Sequence, residues 1–229
     1  DPAFDGFTLL QLSDLHVDIN DEFLHVLIER VRDVDYDLCV LTGDYRAATS
    51  GPIANTLDGM RRICSVLRGP ILGVLGNHDS VRMIPALEAM GIRMLVNESL
   101  TIEHRGAVLQ FAGVDDPHYY EADDLELACA EFAGNRAPRI LLAHSPEIYR
   151  EAAAFRFDLM LSGHTHGGQI CLPGGIPITL DARLPRRFGR GAWRYEALQG
   201  YTSVGAGTSI VDVRVNCPPE VTLHRLRRV

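Results

Sequence analysis

The chain has 229 residues, of which 46% are hydrophobic, so it can bury a sizeable core and we expect a single domain over residues 1–229. No apolar stretch reaches the roughly 20 residues that a membrane-spanning helix needs. The formal charge of -8, from 30 acidic and 22 basic side chains, argues against nucleic acid as a partner, because a polyanion would be repelled.

The first residue and the cysteines bear on the compartment. The sequence begins with Asp1 rather than Met, which is typical of a processed or shortened chain that has lost an N-terminal signal or membrane anchor. The five cysteines form no CxxC pair and are odd in number, so we expect buried free thiols and a reducing compartment.

Five short apolar runs predict buried strands, and each run stops at polar residues. In chain order they are FTLLQL, DLCVLT, PILGVL, RILLA and FDLML. Segments with apolar residues at helical spacing lie between the runs, at residues 21–34, 54–67, 81–90 and 122–132. This alternation predicts a largely parallel sheet covered by helices, in which ligands bind at the carboxyl ends of the strands.

Two later segments predict a second, more antiparallel sheet. LTIEHRGAVLQFAGV has two strand-like halves around Arg105-Gly106, which is a hairpin signal. The stretch from residue 201 to 226 alternates enough for two or three further strands.

The polar side chains at the five strand ends are those of a metal site. They are Asp14, His16, Asp44, Asn77, His78, Asp79, His144, His164 and His166. Imidazole, carboxylate and amide oxygen together suit Mn, Fe, Zn or Co. The ligands are too many for one tetrahedral ion, so we expect two ions that share a bridging carboxylate, with Asp44 as the bridge. Asp14 and His16 reach one ion together only if the chain turns between them.

The complete set resembles the calcineurin-like metallophosphoesterases. That family has D-x-H, GD, GNH(D/E), a lone His and GHxH in this order, and all five motifs occur between residues 8 and 170. With the strand and helix pattern, the resemblance implies a four-layer αββα sandwich of two mixed sheets flanked by helices, with a dimetal site at the carboxyl strand ends. It implies two divalent ions, with Mn favoured over Fe, Zn or Co. One ion is assigned to Asp14, His16, Asp44 and His166, and the other to Asp44, Asn77, His144 and His164.

The resemblance leaves His78 as the histidine beside the phosphate that does not bind metal. When a metal-bridging hydroxide attacks directly, the departing alkoxide needs a proton or positive charge, and a histidine held by Asp79 supplies both. His78 and Asp79 are therefore the predicted catalytic residues, and no covalent enzyme intermediate is expected.

Three arginines are candidates for substrate binding. Residues 183–194 carry five arginines and no acid, and within them Arg186 and Arg187 are expected to meet an anionic head group or a membrane surface, or else to belong to a solvated loop. Arg46 follows Tyr45 where the family more often has an aliphatic residue and then an acid. It is expected either to bind a phosphate oxygen or to pair with a surface acid.

The longer signatures GHTHGGQI, LPGG, LLAHSPE and NCPPEVTL resemble bacterial phosphodiesterases that follow an N-terminal membrane segment. They favour a location in the bacterial cytoplasm or at the membrane periphery. The leading hypothesis is a two-metal phosphodiesterase acting on a small or lipid-linked phosphate ester. The alternatives are a pyrophosphatase of a nucleotide-linked lipid such as UDP-2,3-diacylglucosamine in lipid A synthesis, a catalytically idle metal-binding scaffold and, against the net charge, a nuclease.

The remaining histidines lack partner spacing, and we expect most of them to be exposed; they are His25, His104, His118 and His224. His118, in GVDDPHYY, is the nearest to an exception. The neighbouring Asp115 and Asp116 are expected to shape the rim of the site.

Overall fold

The computed structural model describes residues 2–132 and 137–228. The β-strands are β1 Thr8–Leu12, β2 Leu38–Leu41, β3 Ile71–Gly73, β4 Ile92–Met94, β5 Glu98–His104, β6 Ala107–Gly113, β7 Arg139–Leu142, β8 Leu159–Ser162, β9 Cys171–Leu172, β10 Ile176–Pro177, β11 Gly191–Tyr195, β12 Leu198–Thr202 and β13 Thr222–Arg225. The α-helices are α1 Asp21–Arg32, α2 Ala54–Cys64, α3 Ile84–Ala89, α4 Leu125–Ala128 and α5 Tyr149–Ala154. Short 3₁₀ helices span Pro2–Phe4, Val81–Met83, Pro146–Ile148, His166–Gly168 and Arg186–Phe188.

Two mixed sheets form, as predicted. The first has the order β13-β1-β2-β3-β4 and is parallel except for β13. The second has the order β11-β12-β8-β7-β6-β5, with parallel central pairs and an antiparallel pair at each edge. The strands β9 and β10 form a separate antiparallel ribbon.

The five apolar runs that end at polar residues were expected to lie in one largely parallel sheet. This expectation is wrong, because the runs are divided between the two sheets. β1, β2 and β3 belong to the first sheet, whereas β7 and β8 belong to the second, together with the predicted hairpin β5-β6. The stretch from 201 to 226 contains only the end of β12 and β13 among its described residues. Sheet membership depends on long-range pairing, which local alternation does not encode.

The side chains of the strands alternate between three layers of core. In β1, Leu10 packs with helices α1 to α3 on the outer face of the first sheet, while Leu9 faces the second sheet. Phe111 and Ile140 meet Leu9 from the other side of this central layer. The far face of the second sheet, which includes Trp193 of β11, packs against α4 and α5. The result is the predicted αββα sandwich, in which both sheets end at a common edge.

The predicted helix at 81–90 is divided. In a continuous α-helix the residue at position 85 would donate its N–H to the carbonyl of Val81, but Pro85 has no N–H. The segment therefore forms a 3₁₀ turn and then α3. The predicted helix at 122–132 is reduced to α4, which begins after Asp124, whose side chain accepts a hydrogen bond from the backbone of Leu127.

All five cysteines are free, and Cys39, Cys171 and Cys217 are buried. Within the described residues, no helix is long and apolar enough to cross a membrane.

Replacing Phe111 by Ala tests the central layer of the sandwich. Phe111 is fully buried between the sheets, so we expect its truncation to lower the free energy of unfolding by about 3–5 kcal/mol. Urea denaturation measures the change. Leu127→Ala, at a side chain that is 58% exposed, is the control and should change stability by about 0.5 kcal/mol or less. Equal effects of the two variants would contradict the assigned packing.

Candidate metal centre

All seven predicted ligands lie where the five strands end, and they fall into two clusters. In the first cluster, Nε2 of His16 is 3.2 Å from Nε2 of His166, which is 3.5 Å from Oδ1 of Asp14. In the second, Oδ1 of Asn77 is 2.9 Å from Nε2 of His144 and 2.9 Å from Nδ1 of His164.

The carboxylate of Asp44 lies between the clusters. Its Oδ2 is 3.7 Å from Nε2 of His16 and 3.3 Å from Nε2 of His144. Its Oδ1 accepts a hydrogen bond of 2.9 Å from the backbone N–H of His78. One oxygen is thus fixed by the protein while the other faces a ligand of each cluster.

The chemistry of this ligand set fits divalent cations. Nδ1 of His16 donates to the Arg46 carbonyl at 2.7 Å, and Nδ1 of His144 donates to the Thr42 carbonyl at 2.8 Å. In its neutral form each ring then presents an Nε2 lone pair to the site, where it meets carboxylate and amide oxygens that also carry lone pairs. Such a set of buried acceptors is stable only with positive charge between them. The residues present therefore fit two divalent ions.

The backbone at the site occupies a region that is unfavourable for residues other than glycine. Five of the seven predicted ligands have φ between 41° and 70°: Asp14, His16, Asp44, His164 and His166. Such conformations cost of order 1–3 kcal/mol each and persist where the surrounding structure fixes them. They supply the turn that brings Asp14 and His16 to one cluster.

Gly163 permits the close approach of the second sheet to the first. A Cβ atom at this position would lie 1.9 Å from Oγ of Ser13 and 2.3 Å from Oδ2 of Asp14. The next residue, His164, donates its backbone N–H to both oxygens of Asp14 at 3.0 and 3.1 Å. The Asp14 side chain of the D-x-H motif is therefore held by the backbone of the GHxH motif.

Burial and charge act differently on the imidazoles. Burial lowers the pKa of His164 to about 3, and the nearby His144 adds to this effect. Burial also opposes charge on His144, but the adjacent Asp44 carboxylate outweighs it and raises the pKa of His144 to about 10. Without metal, a proton on His144 supplies the positive charge that the second cluster needs.

Asp79 does not hold His78, contrary to the sequence-based expectation. Its carboxylate instead accepts four backbone N–H groups, from Gly76, Asp44, Tyr45 and Arg46. His78 has Nδ1 buried without a hydrogen-bond partner among the described residues, and its Nε2 lies 3.9 Å from Oδ2 of Asp44. Asp79 therefore fixes the two loops that carry Asp44 and His78, and within the described part of the chain it makes no hydrogen bond to the imidazole.

The three candidate arginines lie around the site rather than among the side chains that line its cavity. Arg46 is buried and donates to the Ser50 carbonyl at 2.6 Å; among the described residues it pairs with no acid. Arg186 donates to the carbonyls of Pro177 and Ile178, and the guanidinium of Arg187 lies 4.6 Å from the ring centre of Phe188. Arg186 and Arg187 are exposed.

Arg214 contacts a predicted ligand and was missed in the sequence, where its one signal is a single basic residue in the alternating stretch VDVRVN. Its guanidinium lies 3.2 Å from Nδ1 of His166 and donates to the carbonyls of Val204 and Gly207 at 2.7 and 2.6 Å. Burial is the main cause that lowers the pKa of His166, and His16 and Arg214 add to it.

His118 is the exception to exposure that its sequence context indicated. It is half-buried, its Nδ1 lies 2.7 Å from Oε2 of Glu147, and its ring packs against that of His164 with 4.1 Å between centres. The Asp116 carboxylate accepts the backbone N–H groups of His118, Tyr119 and Tyr120, so it shapes this loop at the rim.

A cavity of about 440 Å³ opens above the clusters. Its floor includes Asp44, Asn77 and His78, together with His164 and His166. Its rim is formed by Ile170, Ile178, Thr179, Asp181, Ser209, Ile210 and Val211 among others. An anionic group at the floor would thus be flanked by aliphatic side chains.

Two acceptor clusters that share one carboxylate suit a two-metal hydrolase, and in a four-layer sandwich they indicate a metal-dependent phosphoesterase. The family model for Calcineurin-like phosphoesterase matches residues 7–168, and the chain belongs to that family.

Similar bacterial proteins cover nearly the whole chain. The metallophosphoesterase YkoQ of Bacillus subtilis is 28% identical over 98% of this chain and 85% of its own length. YpbG of the same organism is 33% identical over 96% of this chain and 80% of its own length. The phosphodiesterase YaeI of Escherichia coli is 27% identical over 96% of this chain and 82% of its own length.

Solved structures share the fold at low identity. TT1561 of Thermus thermophilus has a TM-score of 0.59 and 15% identity, covering 96% of this chain and 99% of that one. A dimetal phosphatase from Danio rerio has a TM-score of 0.56 and 9% identity, covering 97% and 93%.

Metal binding should release a proton at neutral pH. With its pKa near 10, His144 is protonated at pH 7 without metal and must lose that proton to become a ligand. We therefore expect apparent affinity to rise with pH, by up to about tenfold per unit for each proton released. Calorimetry in buffers of different ionisation enthalpy measures the release. His78→Ala, which removes no predicted ligand, should release the same number of protons as the wild type. Binding heats that do not depend on the buffer would contradict the assignment of the released proton to His144.

Proposed function

We propose that this phosphoesterase is a phosphodiesterase that hydrolyses its substrate at the two-ion site, with Mn as the preferred metal. The observation that carries the proposal is the position of Asp44. Its Oδ2 faces His16 of the first cluster and His144 of the second. The similarity to YaeI, which is named a phosphodiesterase, supports the same reaction.

The ions, when bound, supply Lewis acidity and an activated water for displacement at phosphorus. The protein supplies orientation and a proton. Asp79 fixes the loops of Asp44 and His78 through four N–H groups. His78 lines the cavity, and its side chain is 19% exposed with Nε2 on the side of Asp44. It can therefore protonate an oxygen that leaves into the cavity.

Replacing His78 by Ala separates proton donation from metal binding. We expect wild-type protein to turn over bis-p-nitrophenyl phosphate with added Mn, and kcat of His78→Ala to fall about 10² to 10⁴-fold for a diester with an alkyl leaving group. The loss should be smaller for p-nitrophenolate, which needs little protonation to leave. Rates are measured alongside metal content.

Two results would contradict these roles. Equal losses for good and poor leaving groups would remove His78 as the acid. A folded wild-type protein that binds metal yet turns over no phosphodiester would favour the catalytically idle scaffold.

A second candidate is the hydrolysis of a lipid-linked phosphate, such as the pyrophosphate of a nucleotide-linked lipid, at the membrane periphery. The rim of the cavity favours it. Exposed aliphatic side chains are concentrated in two adjacent segments, at Ile170, Leu172, Ile176, Ile178, Ile210, Val211, Val213 and Val215. Residues 170–194 also carry five arginines against one acid, in a chain of net charge -8. Apolar and basic groups together fit an anionic lipid.

Replacing Arg186 and Arg187 together by Ala tests the lipid substrate. If these exposed side chains hold a head group, we expect KM to rise for UDP-2,3-diacylglucosamine but not for bis-p-nitrophenyl phosphate. Arg194→Ala, an exposed arginine of the same basic segment, is the matched control. Equal effects on both substrates would argue against a role in lipid binding.

A further inference from the structure

We propose that Asp181 is the outer hydrogen-bond partner of His164, accepting the ring N–H that points away from the second ion. This rests on the proposed two-ion site and adds a positioning residue outside its ligand set.

His164 has one ring nitrogen left over. Its Nδ1 belongs to the second cluster, at 2.9 Å from Oδ1 of Asn77. Its Nε2 is buried and has no hydrogen-bond partner in the described part of the chain. A neutral imidazole that binds a cation through Nδ1 carries its proton on Nε2. Histidines that bind metal almost always donate this second N–H to a carboxylate, a carbonyl or water, which fixes the ring.

Two titratable side chains lie near His164 on this side of the cavity. One nitrogen of His118, one nitrogen of His164 and one carboxylate oxygen of Asp181 lie within 4.8 Å of one another. The ring of His118 packs against His164, with centres 4.1 Å apart and a tilt of 46°.

A comparison within the site shows that His118 is not the acceptor. Where two imidazoles meet through their nitrogens, as His16 and His166 do at 3.2 Å, the ring centres are 5.1 Å apart. At 4.1 Å the centres of His118 and His164 are too close for a hydrogen bond that runs in the plane of both rings.

Glu147 is already occupied. Its Oε2 accepts from Nδ1 of His118 at 2.7 Å and from Oγ of Ser145 at 3.1 Å, and its Oε1 accepts the backbone N–H of Arg183. Asp181 is exposed at the cavity rim, and its carboxylate has no hydrogen bond or ion pair among the described residues. The bond from Arg183 to Glu147 holds this segment beside His164. An approach of less than about 2 Å brings the Asp181 oxygen to hydrogen-bond distance.

Metal titration of two variants tests the hydrogen bond. We expect wild-type protein to bind two ions, and Asp181→Ala to lose about 10 to 100-fold in affinity for one of them with the other unchanged. Asp181→Asn keeps an oxygen acceptor without the charge and should stay close to wild type. Glu103→Ala, which removes an exposed acid from β5, should have no effect. Calorimetry and elemental analysis measure affinity and stoichiometry.

A spectroscopic readout is independent of activity. In zinc-loaded protein labelled with ¹⁵N-histidine, the Nε2–H of His164 should exchange slowly with solvent, and Asp181→Ala should abolish this protection.

Several outcomes would overturn the proposal. Equal losses of metal affinity in the Ala and Asn variants would show that the charge of Asp181 matters rather than the hydrogen bond. An unchanged affinity in the Ala variant would show that Asp181 has no role in metal binding. A third equivalent of metal that Asp181→Ala removes would make Asp181 a ligand. A wild-type chain that binds no divalent ion would remove the proposed function together with this inference, whereas two tight ions unaffected by Asp181→Ala would remove only the inference.

Discussion

The meeting of hydrogen-bond acceptors at the ends of five strands is the constraint on which the rest of the structure depends. Carboxylate, amide and imidazole groups approach within 2.9 to 3.7 Å of one another in a buried space. The chain accepts strained backbone at five of these positions to place them there. Only positive charge between the acceptors makes such an arrangement favourable, so the geometry and the chemistry of the site have the same cause.

The predicted ligands could be identified in the sequence because each motif is local. A short apolar run followed at once by Asp, His or Asn marks a strand end, and strand ends in α/β folds gather at one edge. The partners of Asp79 were not accessible, since an acid next to His78 in sequence turns toward the backbone of another loop. Arg214 was missed for the same reason: its contact with His166 spans 48 residues and leaves no spacing pattern.

The surroundings of the site combine groups of opposite character. Around the acceptor floor, Gln169 uses its amide to join the two aliphatic segments, donating to the carbonyls of Ser209 and Val211 and accepting the Ser209 N–H. The rim is therefore braced by hydrogen bonds although its outer surface is apolar. The cavity lining therefore combines acceptors that suit cations with aliphatic side chains.

The division of the ligands between the sheets has a mechanical consequence. Asp14, His16, Asp44 and Asn77 follow strands of the first sheet, while His144, His164 and His166 follow strands of the second. Each cluster therefore spans the seam between the layers. A slip of one sheet past the other by a single residue, about 3.3 Å, would separate both clusters at once. Release of the ions and parting of the two layers would then occur as one cooperative event.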